Sequence, residues 1–223
     1  MTSEQLVVFT RTAGFRHDSI PDGIAAFRAL GAELGRPVLA TEDPAELAAA
    51  LPGSAAVVFL STTGEVLTDT AREALRTHQE AGGGFLGVHS ASGTEYDWPW
   101  YGDLVGARFD GHPALQPGVI RVTDHDHPAT AHLPRRWAFT DEWYHFTESP
   151  GGRVRVLATA DESTYTGGRM GEDHPLVWCH EHTGGRAFYT ALGHTSEAYT
   201  DPGFRAHLRG ALAWVTEAAG KAR

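Results

Sequence analysis

The chain has 223 residues, 41% of them hydrophobic and 21% charged, and a formal net charge of −10. That length and apolar share can bury one sizeable core. The acidic balance, with no run of Lys or Arg, excludes nucleic acid and anionic membrane as partners, because both need a basic footprint.

The N-terminal MTSEQLVVFTRT lacks the basic start, long apolar stretch and small-residue cleavage site of a signal peptide. No stretch approaches the ~20 apolar residues of a membrane span. One cysteine, Cys179, rules out an intrachain disulfide and fits a reducing compartment, so a cytoplasmic location is expected. LVVFT (residues 6–10) reads as a buried strand, followed by the loop RTAGFRHD. SIPDGIAAFRALGAELG reads as a helix with Ser19 as N-cap, Pro21 in the first turn and Gly35 as its stop; Ile24, Phe27, Leu30 and Leu34 share one face. PVLAT (37–41) is a second strand, and Asp43 caps a short helix reaching Leu51. AAVVFLS (55–61) is an apolar strand, and Thr68 caps an amphipathic helix ending at Gly82. GFLGVH then makes a further buried strand. The GGG at 82–84 precedes a strand instead of following one, so it is a helix C-cap and not a phosphate loop; no nucleotide cofactor is expected. Strands apolar throughout, alternating with helices, imply a parallel sheet covered on both faces.

The middle is less regular. SGTEYDWPWYGDLVGARFDGHP is aromatic and loop-like, with a short helix around 100–105. GVIRVTD and RVRVLATAD alternate like strands, with FTDEWYHF between them. PLVWCHE and RAFYTALGH flank TGG as a close strand pair. A last amphipathic helix places Phe204, Leu208, Leu212 and Val215 on one face. No repeat or linker divides the chain, so one domain over 1–223, with a core of about 5–218, is expected.

In an open parallel sheet, ligands bind at the carboxyl ends of the strands. His17 follows the first strand, His89 ends the strand of GFLGVHSASG, and His194 ends RAFYTALGH, so all three are expected at one rim. Glu142 adds a carboxylate among aromatics. His112 and His174 each precede a proline and sit in extended or turn backbone. His125 and His127 read as a solvated turn, His180 and His182 as exposed edge positions, and His78 and His207 as surface positions on helices. Tyr96, Trp98, Trp100 and Tyr101 form either a core plug or a platform for stacking sugars. Cys179 sits mid-strand among apolar neighbours, where a thiol is inert. What remains is imidazole and carboxylate chemistry: acid–base catalysis, or an open divalent-metal site, zinc foremost, on His17, His89 and His194.

GFRHDSI, GFLGVHSASG, TDEWYHF and HPLVWCHEHTGGRAFYTALGH, in this order, resemble the ThuA-like, trehalose-utilisation family. The resemblance spans about residues 6–215. It implies the class I glutamine amidotransferase-like fold: α/β, flavodoxin-like and doubly wound, a mostly parallel sheet in three α/β/α layers. His89 then stands where an amidotransferase carries its elbow cysteine. The resemblance further implies a carbohydrate partner, a trehalose-like or 3-keto disaccharide. Matched by motif, His89 and Glu142 share acid–base roles, while His17 and His194 hold substrate or metal, with Trp143, Tyr96 and His174 as further substrate-binding candidates. A non-catalytic sugar-binding or regulatory module that keeps the fold is the alternative. A homodimer and a monomer fit the acidic surface equally.

Overall fold

The computed structural model describes residues 4–217. Residues 1–3 and 218–223, including the expected end of the core at 218, lie outside the described residues. The elements run β1 (Gln5–Phe9), α1 (Ile20–Glu33), β2 (Val38–Thr41), α2 (Pro44–Ala50), β3 (Ser54–Leu60), α3 (Asp69–Glu80), β4 (Gly84–Val88) and α4 (Pro99–Val105). There follow β5 (Phe109–Gly111), β6 (Gln116–Val122), β7 (Arg136–Asp141), β8 (His145–Phe146), β9 (Arg155–Ala160), β10 (Pro175–His180), β11 (Ala187–Thr190) and α5 (Pro202–Thr216). No helix among the described residues is long and apolar enough to cross a membrane.

Nine strands form one sheet in the order β2-β1-β3-β4-β11-β10-β9-β6-β7, and β5 pairs with β8 beside it. From β2 to β11 the strands are parallel; from β11 to β7 each neighbour is antiparallel. The parallel half is built from the apolar runs of the first 90 residues, and β1, β3 and β4 are buried nearly end to end. Alternate side chains serve the two faces. Leu60 reaches α1 at Gly23, and Val88 and Phe204 of α5 both border Gly193. Phe59 and Phe85 pack at 5.5 Å and meet Tyr101 of α4 at 5.6 and 6.0 Å. The result is a three-layer α/β/α architecture. β11 lies parallel beside β4 with Thr190 opposite Val88, so the chain leaves both strands at the same rim.

Local signals hold in most places. Asp43 and Thr68 accept from Ala45 N and Ala71 N at their helix starts, and Gly82 follows α3 with φ +92°. Ser19 is different: it stands at the N-cap position but makes no capping bond, and its hydroxyl instead reaches Gly193 O at 3.5 Å. The histidine expectations away from the rim need larger correction. His78, His127, His180 and His207 are all buried. His207 Nδ1–H donates to Ala129 O at 2.8 Å. The His127 ring lies 5.1 Å from Trp214 and 5.5 Å from Phe188. His180 is interior because β10 runs between β11 and β9; its Nε2–H donates to Leu104 O at 2.9 Å. In each case an imidazole with one backbone partner fills a core position that its local pattern marked as polar. His182 is exposed as expected. Trp98 and Tyr101 are core, with Trp98 stacked on half-buried Trp100 at 4.8 Å, whereas Tyr96 stays 46% exposed.

Candidate active site

Four segments deliver the site. His17 sits in the β1–α1 loop, whose backbone is tied to the β3 exit by Ala13 N to Thr63 O and by the Thr63 hydroxyl to Phe15 O. His89 leaves β4 with φ +54°, a left-handed conformation unusual for a residue with a Cβ. Two bonds fix it there: Nδ1–H donates to Ala191 O at 2.8 Å, and the Tyr189 hydroxyl donates to His89 O at 2.7 Å. With Nδ1 protonated, Nε2 carries the lone pair and faces the rim.

Asp141, the last residue of β7, joins the other two segments. Its fully buried carboxylate accepts Glu142 N at 2.8 Å, Gly193 N at 2.8 Å and His194 N at 3.2 Å. One side chain thus sets the backbone of both Glu142 and His194. Gly193 has φ +115°, and a Cβ there would stand 2.9 Å from the Tyr199 hydroxyl, so only glycine fits.

The four side chains converge. His89 Nε2 lies 3.1 Å from His17 Nε2, 3.3 Å from His194 Nδ1 and 3.5 Å from Glu142 Oε2. Glu142 Oε2 is 3.1 Å from His194 Nδ1. One ligand atom from each of the four lies within 4.8 Å of the others. Beside them are two residues that sequence reasoning missed as site residues. The Tyr144 hydroxyl donates to His89 Nε2 at 2.7 Å, and His112 Nε2 is 3.5 Å from Glu142 Oε1. Tyr144 lies two residues past Glu142, where a local strand pattern marks only burial; His112 carried just the signal of preceding a proline.

Electrostatics follow from this crowding. Burial, then His89 and His194, lower the His17 pKa to about 3. Burial alone would raise Glu142, but the hydrogen bond from His194 and the closeness of the His89 imidazole outweigh it and hold the carboxyl far below its ordinary range. The bond to Glu142 raises His194 above an ordinary imidazole, against its partial burial. Burial raises Asp141 despite its N–H donors. Cys179, buried, is pushed up to about 12, which leaves a protonated thiol without nucleophilic character.

Three imidazole nitrogens and a carboxylate oxygen aimed at one point are a strained set of electron pairs, which a divalent cation relieves. Four ligands about 2.1 Å from an ion stand about 3.4 Å apart in a tetrahedron; four of the six separations here run from 3.1 to 3.5 Å, and all six lie within 4.8 Å. The residues therefore fit a zinc-type ion.

The centre opens to a cavity of about 590 Å³ lined by His17, Glu142, Ser90, His112, Tyr144 and Tyr96, among others. Trp143 does not reach it: its ring is fully buried, stacked on Tyr165 at 4.9 Å, with Nε1–H donating to Gln116 O. His174 is also fully buried; its Nε2–H donates to Tyr144 O at 2.7 Å and its Nδ1 lies 2.8 Å from Glu162 Oε1, so it touches the site only through the Tyr144 backbone. A larger cavity of about 1010 Å³, lined by Ser54, Gly83 and Val215 at the opposite rim, holds no such donor cluster among the described residues.

The family model described as trehalose utilisation, ThuA, matches residues 5–215. The chain belongs to the ThuA family. Its fold is shared with two ThuA-like proteins of known structure. That from Bacteroides uniformis is 23% identical, with a TM-score of 0.80 over 96% of this chain and 92% of that one. That from Parabacteroides merdae is 20% identical, with a TM-score of 0.79 over 98% and 92%. A β-galactosidase from Bacillus circulans sp. alkalophilus matches this ThuA chain over 96% of its length with 13% identity and a TM-score of 0.60, but only over 31% of the galactosidase. No curated protein sequence matches the chain.

Proposed function

We propose that this ThuA chain acts on a carbohydrate, a trehalose-like or 3-keto disaccharide or glycoside, by His/Glu acid–base chemistry. The observation that carries the reading is the convergence of His17, His89, Glu142 and His194 beside a cavity of monosaccharide to disaccharide scale, which His17 and Glu142 line. His17, His89 and His194 would hold a divalent metal, with Glu142 beside it; such an ion, when bound, polarises a substrate carbonyl.

The chain's own groups do the proton work. Glu142 lines the cavity as a carboxylate and takes the proton from the carbon next to the ketone. That electron pair forms the carbon–carbon double bond as the glycosidic C–O bond breaks. The departing oxygen takes up the proton that Glu142 has removed, which restores the carboxylate, so the proton count of the centre is unchanged. Tyr144, packed on His89 with ring centroids 4.4 Å apart, shields this exchange from water.

The test is turnover of 3-keto-disaccharides by the wild type, His89→Ala and Glu142→Gln, with metal content measured by elemental mass spectrometry. The expected result is turnover in the wild type, loss of at least 100-fold in each variant, and about one metal per chain that His89→Ala releases. Unchanged turnover in both variants refutes the assignment. Sugar bound without product identifies the non-catalytic module instead.

A further inference from the structure

The mouth of the cavity has its own chemistry. Phe15 is 68% exposed and Tyr96 46% exposed, two of the three large hydrophobic side chains so exposed among the described residues, and both line this cavity. Neither is on loose backbone. The Phe15 carbonyl accepts the Thr63 hydroxyl at 2.9 Å, and the β1 and β3 exits are bridged at Thr12 and Thr63. The Phe15 ring stands nearly perpendicular to His17, with centroids 4.8 Å apart. The Tyr96 hydroxyl donates to Phe109 O at 2.6 Å, and the Arg108 guanidinium lies 5.4 Å from its ring centroid. Both rings are thus braced in positions where a face or edge stays open to solvent.

Ser90 supplies an independent sign of a ligand. It lines the same cavity, is 5% exposed, and its Oγ has no hydrogen-bond partner. A buried hydroxyl without a partner is costly and is satisfied by a bound polar group.

We infer that Phe15 and Tyr96 bind the apolar face of a sugar ring and that Ser90 Oγ hydrogen-bonds one of its hydroxyls. Aliphatic C–H groups of a pyranose pack on aromatic faces, while its rim of hydroxyls needs a few fixed polar partners. The inference rests on the carbohydrate reading above and names the residues that choose among carbohydrates.

The experiment is isothermal titration of trehalose into wild type, Phe15→Ala, Phe15→Trp, Tyr96→Ala, Ser90→Ala and His89→Ala, with thermal unfolding and 3-keto-disaccharide turnover run in parallel. Phe15→Ala and Tyr96→Ala should each weaken binding by roughly five- to tenfold with unfolding temperatures within a degree or two of wild type, and Phe15→Trp should restore it. Ser90→Ala should weaken binding by roughly threefold to tenfold. Binding by both aromatic-to-alanine variants equal to wild type overturns the aromatic clamp while leaving the catalytic reading intact. Weakened binding in the clamp variants together with full turnover in His89→Ala supports the clamp and refutes the catalytic assignment. A wild type that does not bind trehalose overturns both.

Discussion

Replacement of Asp141 tests whether one buried carboxylate organises the site. Its two oxygens accept three backbone N–H groups, from Glu142, Gly193 and His194, at 2.8, 2.8 and 3.2 Å, in a position with no solvent exposure. A buried donor left without its acceptor costs about 1–3 kcal/mol. Asp141→Ala strands three donors, so a loss of about 4 kcal/mol is expected, with entering water holding it below the simple sum. Asp141→Asn keeps one oxygen but turns an amide N–H against one backbone N–H, so about 2 kcal/mol is expected. Urea denaturation followed by tryptophan fluorescence, at constant slope, reads both numbers. Metal binding should weaken in the same order, because the backbone of Glu142 and His194 loses its common tie. Asp141→Ala within about 0.5 kcal/mol of wild type, a value typical of inert surface changes, would refute the reasoning.

Two other outcomes follow from the same geometry. Gly193→Ala combines a φ of +115° with a Cβ 2.9 Å from the Tyr199 hydroxyl; it should cost about 2–3 kcal/mol in denaturation and lower metal occupancy, and a neutral variant would show that the loop is free to shift. Stability should also fall on acidification. His127, His180 and His207, held near pKa 4 by burial, stay neutral in the fold, while the unfolded chain takes up protons near pH 6.5. The unfolded state thus binds more protons between about pH 6.5 and 4, and each ring contributes a slope of up to about 1.4 kcal/mol per pH unit there. Chemical denaturation at pH 7 and 5 checks the sign, and equal stability at the two values would contradict it.

Much of the site was legible because its position depends on local patterns. Apolar strands alternating with capped helices specify a parallel sheet, a parallel sheet has a functional rim, and His17, His89 and His194 each end a strand or follow one directly. The structure brings these three together with Glu142, which the family resemblance alone had assigned to the site. What stayed hidden depends on contacts between distant segments. Tyr144 and His112 reach Glu142 and His89 only because β5, β7 and β8 return to this rim. Trp143, one residue before Tyr144, points into the core.

The sequence by itself determined the alternation of elements, the helix caps at Asp43 and Thr68, the elbow at His89 and the family's fold. These follow from hydrophobic period, capping chemistry and motif order, which act over a few residues at a time. Only the tertiary structure decided that β10 lies inside the sheet and so buries His180, that His127 and His207 belong to the core, and that Asp141 ties its neighbour Glu142 to His194, which lies 53 residues beyond Asp141. A histidine is polar in a local pattern but apolar enough for a core once a single carbonyl or amide satisfies it, and that partner is supplied by the packing of remote elements.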